Sequence, residues 1–160
     1  MKCMQCGTGM STKRENVPYD DLPGTVLVGM SVSRCARCGE HEIAIPAIDE
    51  LHRALAHEVL RKTGRLNGAE IRFLRSYLGY SGVDFAKLIH SDPATVSRWE
   101  SDKQLLGHHT DLLLRAMVAI DKKVESYPIS MFAEFKGDKA PRARYAFKRT
   151  AAKWRAAPTA

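Results

Sequence analysis

Cys3-x-x-Cys6 and Cys35-x-x-Cys38 constrain this chain more than any other feature, because four thiols that meet at one point fix the path of everything between them. In each pair glycine follows the second cysteine, Gly7 and Gly39, where a tight turn around a metal needs the positive φ that glycine adopts without strain. Between the pairs, Met10 to Val17 and Thr25 to Val32 read as two strands, broken by Pro18 and by the turn Leu22-Pro23-Gly24. A hairpin of these strands brings the pairs together. Four thiolates about 2.3 Å from one ion then close a tetrahedral structural zinc site, one ion per chain, with no open position for a substrate.

Other uses of these cysteines fit less well. A redox Cys-x-x-Cys opens a helix in an α/β fold, and neither pair does so here. Iron can replace zinc in a four-thiolate site, and the sequence does not separate the two. His41, three residues after Cys38, reads as a surface histidine rather than a fifth ligand. With no apolar leader behind Met1-Lys2 and no run long enough to cross a bilayer, the expected setting is the cytoplasm, where clustered cysteines point to metal before disulfides.

Charge is placed unevenly. Met1 to Phe135 holds 17 Lys or Arg and 17 Asp or Glu, whereas Lys136 to Ala160 holds eight basic residues and one acidic one. The whole excess of +7 therefore sits in the tail. The region before it cannot be called basic.

After the cysteine segment the pattern turns helical. Pro46 opens a stretch to about Lys62, with Ile48, Leu51, Leu55 and Val59 on one stripe and His52 and His57 facing solvent. Asn67 starts the next helix as a cap, with Glu70 placed to reach back and Leu66 to staple onto Ile71. Gly79 breaks it. Ser81 and Asp92-Pro93 then cap two short helices, whose inward side chains are Phe85, Ala86, Ile89, Val96 and Trp99. Outward on the second lie Ala94, Thr95, Ser97 and Arg98, the profile of a helix that enters a DNA major groove. A last helix begins at Thr110 or Asp111. Its Leu112 to Ile120 face is a candidate for a dimer contact and equally for an internal core.

The run Ile71-Arg72-x-Leu74-Arg75-x-x-Leu78-Gly79-x-Ser81-x-x-x-Phe85-Ala86, continued by Thr95-Val96-Ser97-Arg98-Trp99-Glu100, closely resembles the Xre or Cro type helix-turn-helix of bacterial and phage repressors. Joined through one helix to the cysteine pairs, it resembles the MqsA-type antitoxins over about residues 1 to 120. The resemblance implies a mainly α chain with a small β zinc-binding module, a zinc-ribbon-like domain followed by a Cro/repressor-like DNA-binding domain. The expected divisions are 1–45 for zinc, 46–65 for a linker helix, 66–121 for the helix-turn-helix and 122–160 for a basic tail.

It also implies a homodimer on a palindromic double-stranded DNA operator, with the zinc domain engaging a cognate toxin. Cys3, Cys6, Cys35 and Cys38 match the zinc ligands. Ala94, Thr95, Ser97 and Arg98 fall on the reading face, and Arg98 can hold guanine bidentately unless it pairs with Glu100 or Asp102. The N–H groups after Ser81, Gly82 first among them, suit a phosphate, as do Lys103 and Gln104. Two departures stand out. His90 occupies a turn position where glycine is usual, and Ala94 a position where asparagine can read adenine.

The tail lies outside the resemblance. Ile129 to Phe135 reads as an apolar strap, and Phe147, Ala151 and Trp154 would align on one face of a helix ringed by Lys148, Arg149, Lys153 and Arg155. No activated nucleophile, paired carboxylate site or phosphate-binding glycine loop is visible, so an enzyme is not expected. The competing readings are a stand-alone regulator without a toxin and an adaptor for RNA or protein.

Overall fold

The computed structural model describes residues 1–122, 124, 127–138 and 142–159. The chain forms two compact units, one of Met1–Asp20, Gly24–Leu51 and the described residues from Arg144 onward, the other of Asp21–Pro23 and the described part of His52–Ala143. The tail from Arg144 thus joins the unit that holds the cysteines. Among the described residues no helix is long and apolar enough to cross a membrane.

The first unit is built on a mixed five-stranded sheet. β1 (Met10–Tyr19) pairs antiparallel with β2 (Thr25–Cys35), and Met10 opposite Cys35 sets the register at the cysteine end. Pro18 does not break β1 as expected. It sits opposite Val26 inside the strand, which it can do because β1 is an edge. One irregularity lies at the middle, where Asn16 alone faces Val28 and Gly29 between the pairs Glu15–Met30 and Val17–Leu27. Gly29 takes φ +70 and donates its N–H to Asn16 Oδ1 at 3.0 Å. This bulge switches the buried positions of β2 from Thr25 and Leu27 to Met30 and Val32.

The other edge of β2 is shared. Ser31 to Arg34 pair with β3 (His41–Ala44), and Thr25 to Val28 pair in parallel with β4 (Tyr145–Thr150). β4 turns at Ala151-Ala152 into β5 (Lys153–Ala156). The helix expected over Phe147 to Trp154 is therefore a hairpin. The apolar residues of this segment fit a period of two as well as a helical one, and the sheet uses the former. Phe147 lies beside Leu27 and is buried, while Trp154 is buried with its indole N–H donated to Pro46 O at 3.0 Å.

α1 (Ile48–Arg61) carries the chain from the first unit into the second. The second unit continues with α2 (Gly68–Tyr77), α3 (Gly82–Leu88), α4 (Pro93–Glu100), α5 (His108–Asp121) and the single turn α6 (Met131–Glu134). α2 packs on α4 and α5, and α3 on α4, around Ile71, Leu74, Phe85, Val96, Leu114 and Val118. Asn67 and Glu70 form the full capping box, each side chain meeting the other's backbone N–H at 2.9 Å. His52 does not face solvent as expected. Its ring meets the edges of Phe73 and Tyr77 at 5.9 and 6.5 Å, because α1 presents it to α2.

At Gly68 the start of α2 lies tight against the last residues of α4. The Gly68 N–H donates to Asp102 Oδ1 at 2.7 Å, and a Cβ there would penetrate the carbonyls of Trp99 and Glu100. Both clashing groups are backbone and cannot swing aside. Gly68→Ala is expected to cost at least about 1–3 kcal/mol in chemical denaturation, an overpacking penalty that outweighs the better helix propensity of alanine.

The strap expected near Phe135 docks within this unit. The Phe135 ring lies edge-on to His108 at 5.7 Å and under the Arg115 guanidinium at 5.2 Å. Backbone bonds from Lys136 N to Thr63 O and from Arg65 N to Asp138 O fix it further. Ile129, included in the expected strap, stays exposed.

Candidate metal centre and nucleic-acid interface

The two cysteine turns are built alike. Gly7 N–H donates to Cys3 O at 2.9 Å and Gly39 N–H to Cys35 O at 3.1 Å, while Cys3 N–H and Cys35 N–H each reach a carbonyl five residues on, Thr8 and Glu40, at 2.8 Å. Gly7 and Gly39 adopt φ +70 and +76, the left-handed backbone their positions called for. Each turn curls round its sulfurs, and the β1–β2 ladder sets the two turns side by side.

The four Sγ atoms lie within 4.8 Å of one another, with Cys3–Cys38 at 3.5 Å and Cys6–Cys35 at 3.4 Å. A tetrahedron with metal–sulfur bonds of about 2.3 Å has edges of about 3.8 Å, so the four thiols fit one ion. Cys3 and Cys35 are buried, Cys6 is half-buried and Cys38 is exposed. His41, as expected, faces solvent on β3 rather than joining the cluster.

The sulfurs are not equivalent as acids. The Thr8 hydroxyl and backbone N–H, with help from Cys35, hold the Cys6 thiol down at about 6. Cys38 receives the Glu40 N–H, which lowers it, but the neighbouring Cys3, burial, Cys35 and Cys6 together push it up to about 12. A Cys6 thiolate thus sits in one cluster with a Cys38 thiol that resists losing its proton. A dication removes that conflict by taking the charge of all four, so metal uptake releases protons and acid opposes it.

In the second unit the caps around α3 and α4 follow the sequence. Ser81 Oγ accepts from Asp84 N at 3.1 Å, and Asp92 Oδ1 accepts from Ala94 N at 2.7 Å with Pro93 in the first turn. His90 in the turn between them has φ 53, the left-handed conformation for which glycine is usual. The turn keeps its geometry with histidine because its bonds hold it, Ser91 N–H reaching Ala86 O at 2.8 Å.

On α4, Ala94, Ser97 and Arg98 are exposed and Thr95 is half-buried, while Val96 and Trp99 face inward. Arg98 makes neither of the ion pairs open to it on sequence. Its Nη2 donates to Thr95 Oγ1 at 2.8 Å and its Nε to Gln104 Oε1 at 3.2 Å. Glu100 is instead engaged by Arg75 at 2.5 Å and Arg72 at 3.3 Å, and Asp102 by Gly68 N–H and Arg142. Gln104, singled out for a phosphate, is thereby an orienting group for Arg98. Lys103 is exposed beside it.

The start of α3 is less open than its sequence implies. Ser81 Oγ also donates to Asp84 Oδ2 at 2.7 Å, which sets a carboxylate in the first turn of the helix whose N–H groups a phosphate would meet. Two features escaped sequence reasoning altogether, the Arg72–Glu100–Arg75 cluster and the buried Asp111–Arg115 pair. The i,i+4 spacing of the second was the only signal. Comparison of the chain with protein-family models, curated proteins and solved structures returns no match.

Proposed function

We propose that the chain is a sequence-specific DNA-binding transcriptional repressor of antitoxin type, with a structural zinc ion on its four cysteines and α4 as the reading helix in the major groove. The observation that carries the reading is the poise of Arg98. An exposed guanidinium held by Thr95 and Gln104, with the nearby carboxylates engaged elsewhere, keeps its fork free of an internal anion and ready for guanine O6 and N7. Ser97 and Ala94 beside it leave room for a base edge to approach.

The Cro/repressor-like character of the second unit is part of the same proposal, supported by the caps, the left-handed His90 and the inward Phe85, Val96 and Trp99. A homodimer on a palindromic operator is favoured by α5. Leu113 and Ile120 there are 46% and 78% exposed and lie seven residues apart, two turns along one outward stripe. The toxin partner rests on the joining of the cysteine module to these helices, and co-purification with the product of the adjacent gene tests it.

The direct test is selection of duplexes from a random DNA pool. A defined operator should emerge, and Arg98→Ala should weaken it by about 1–3 kcal/mol, roughly 5- to 150-fold, while Arg98→Lys recovers little because lysine has no fork. Unchanged operator affinity in Arg98→Ala removes α4 as the reader. A pool that yields no sequence favours the adaptor role.

A further inference from the structure

Lys148 on β4 and Arg155 on β5 are directly opposed in the terminal hairpin, and Lys153 faces Thr150 on the same side. Like charges set across an antiparallel ladder repel, so this pair costs stability rather than adding to it. The segment itself supplies no acidic side chain to offset them. Residues 139–160 hold seven Lys or Arg and no Asp or Glu, and among the described residues Lys148, Lys153 and Arg155 form no ion pair. All three side chains are exposed. They are held outward by register, because Phe147 and Trp154 bury the opposite face and a one-residue slip would expose both rings.

From this arrangement we infer that the outward face of the β4–β5 hairpin binds the phosphate backbone of duplex DNA without regard to base sequence. The choice of DNA rests on the proposed role of α4. Lys153 and Arg155 repeat at about 6.8 Å along one strand, with Lys148 across from the second, so the cations form a short two-row array suited to an extended anion. A protein partner would call for an aromatic or large apolar anchor, whereas the cationic face offers Thr150 beside its lysines and the turn Ala151-Ala152 at its end. Single strands would call for a stacking platform beside the cations, and the three aromatic residues of the strands, Tyr145, Phe147 and Trp154, all lie on the opposite face, the last two buried and Tyr145 half-buried.

Deleting the tail would remove two strands, so the test uses substitutions in the full, metal-loaded chain. Lys148→Gln/Arg155→Gln is expected to bind random-sequence duplex DNA at least tenfold more weakly at low salt, with the log–log salt slope reduced by about 2. Its melting temperature should be unchanged or higher, since the repulsion is gone. Lys153→Gln beside the turn supplies a second, milder variant, with a slope change of about 1. Arg98→Ala should lose the preference for operator over random duplex, whereas the glutamine variants should keep that preference, which separates failure of the reading helix from failure of the hairpin. Unchanged random-duplex affinity and slope in both glutamine variants overturns the inference, and so does tighter binding of polyglutamate or single-stranded RNA than of duplex DNA.

Discussion

Stripping the metal from the cysteine cluster should unfold the turns at Cys3–Gly9 and Cys35–Glu40 and lower the melting temperature of the chain. The turns are held by two backbone bonds each, and against the crowding of sulfurs at 3.4 and 3.5 Å the cluster has only the hydrogen bonds of Thr8 to Cys6 and of Glu40 to Cys38. Binding of structural zinc contributes on the order of 10 kcal/mol in small zinc domains, more than these bonds can replace. Elemental analysis is expected to give one zinc per chain, and Cys3→Ser/Cys35→Ser should bind none. Hydrogen exchange in the metal-free protein should accelerate first at the Gly7 and Gly39 amides. Acidification should release the metal, because each thiolate ligand must take up a proton to leave it. A metal-free wild type with the same melting temperature and the same protected amides would sink the assignment.

The second large effect is expected at Arg115. This side chain is 1% exposed, and its guanidinium satisfies Asp111 Oδ1 at 2.6 Å and the carbonyls of Leu60 at 3.1 Å, Gly64 at 2.7 Å and Lys62. It therefore caps the C-terminal end of α1, where carbonyls lack intrahelical donors, and neutralises a fully buried carboxylate. Asp111 in turn accepts the Leu66 N–H at 2.7 Å just ahead of α2. Arg115→Ala should cost about 3–5 kcal/mol, because it leaves the buried Asp111 without its counter-charge and takes a donor from three carbonyls. Replacing both charges, as Asp111→Leu/Arg115→Met, should recover only part of this. An isolated buried ion pair can often be exchanged for apolar groups at little cost, but the carbonyls and the Leu66 N–H would remain unmet. Full recovery in urea denaturation would show that the pair acts alone and that the capping bonds contribute nothing.

Much of the local structure could be read from residues close together in the chain. The caps at Asn67, Ser81 and Asp92 satisfy backbone groups two or three residues away, and Gly7, Gly39 and His90 answer to the conformation of a single turn. Such features depend on local sterics and hydrogen bonding, which short motifs specify. The hairpin at the C-terminus was not legible. Phe147 and Trp154 fit a helical spacing and an alternating one equally, and the choice fell to β2, more than a hundred residues earlier, which had a free edge beside Thr25 to Val28. The basic count of the tail could be read from the chain, whereas its place in the sheet beside β2 could not, and Arg144 onward belongs to the cysteine-bearing unit.

The site divides in the same way. By itself the sequence determined the four thiols, the turns that present them, the capped helices and the outward side chains of α4, because each follows from spacing along the chain. Only the tertiary structure decided which of several available anions each cation would meet. Arg98 was left to Thr95 and Gln104 because Arg72 and Arg75 converge on Glu100 from α2, and Lys148 was set against Arg155 because the buried rings of Phe147 and Trp154 fixed the register of the hairpin. Charges act over distances that chain spacing does not measure, so their partners are settled only when packing brings the elements together.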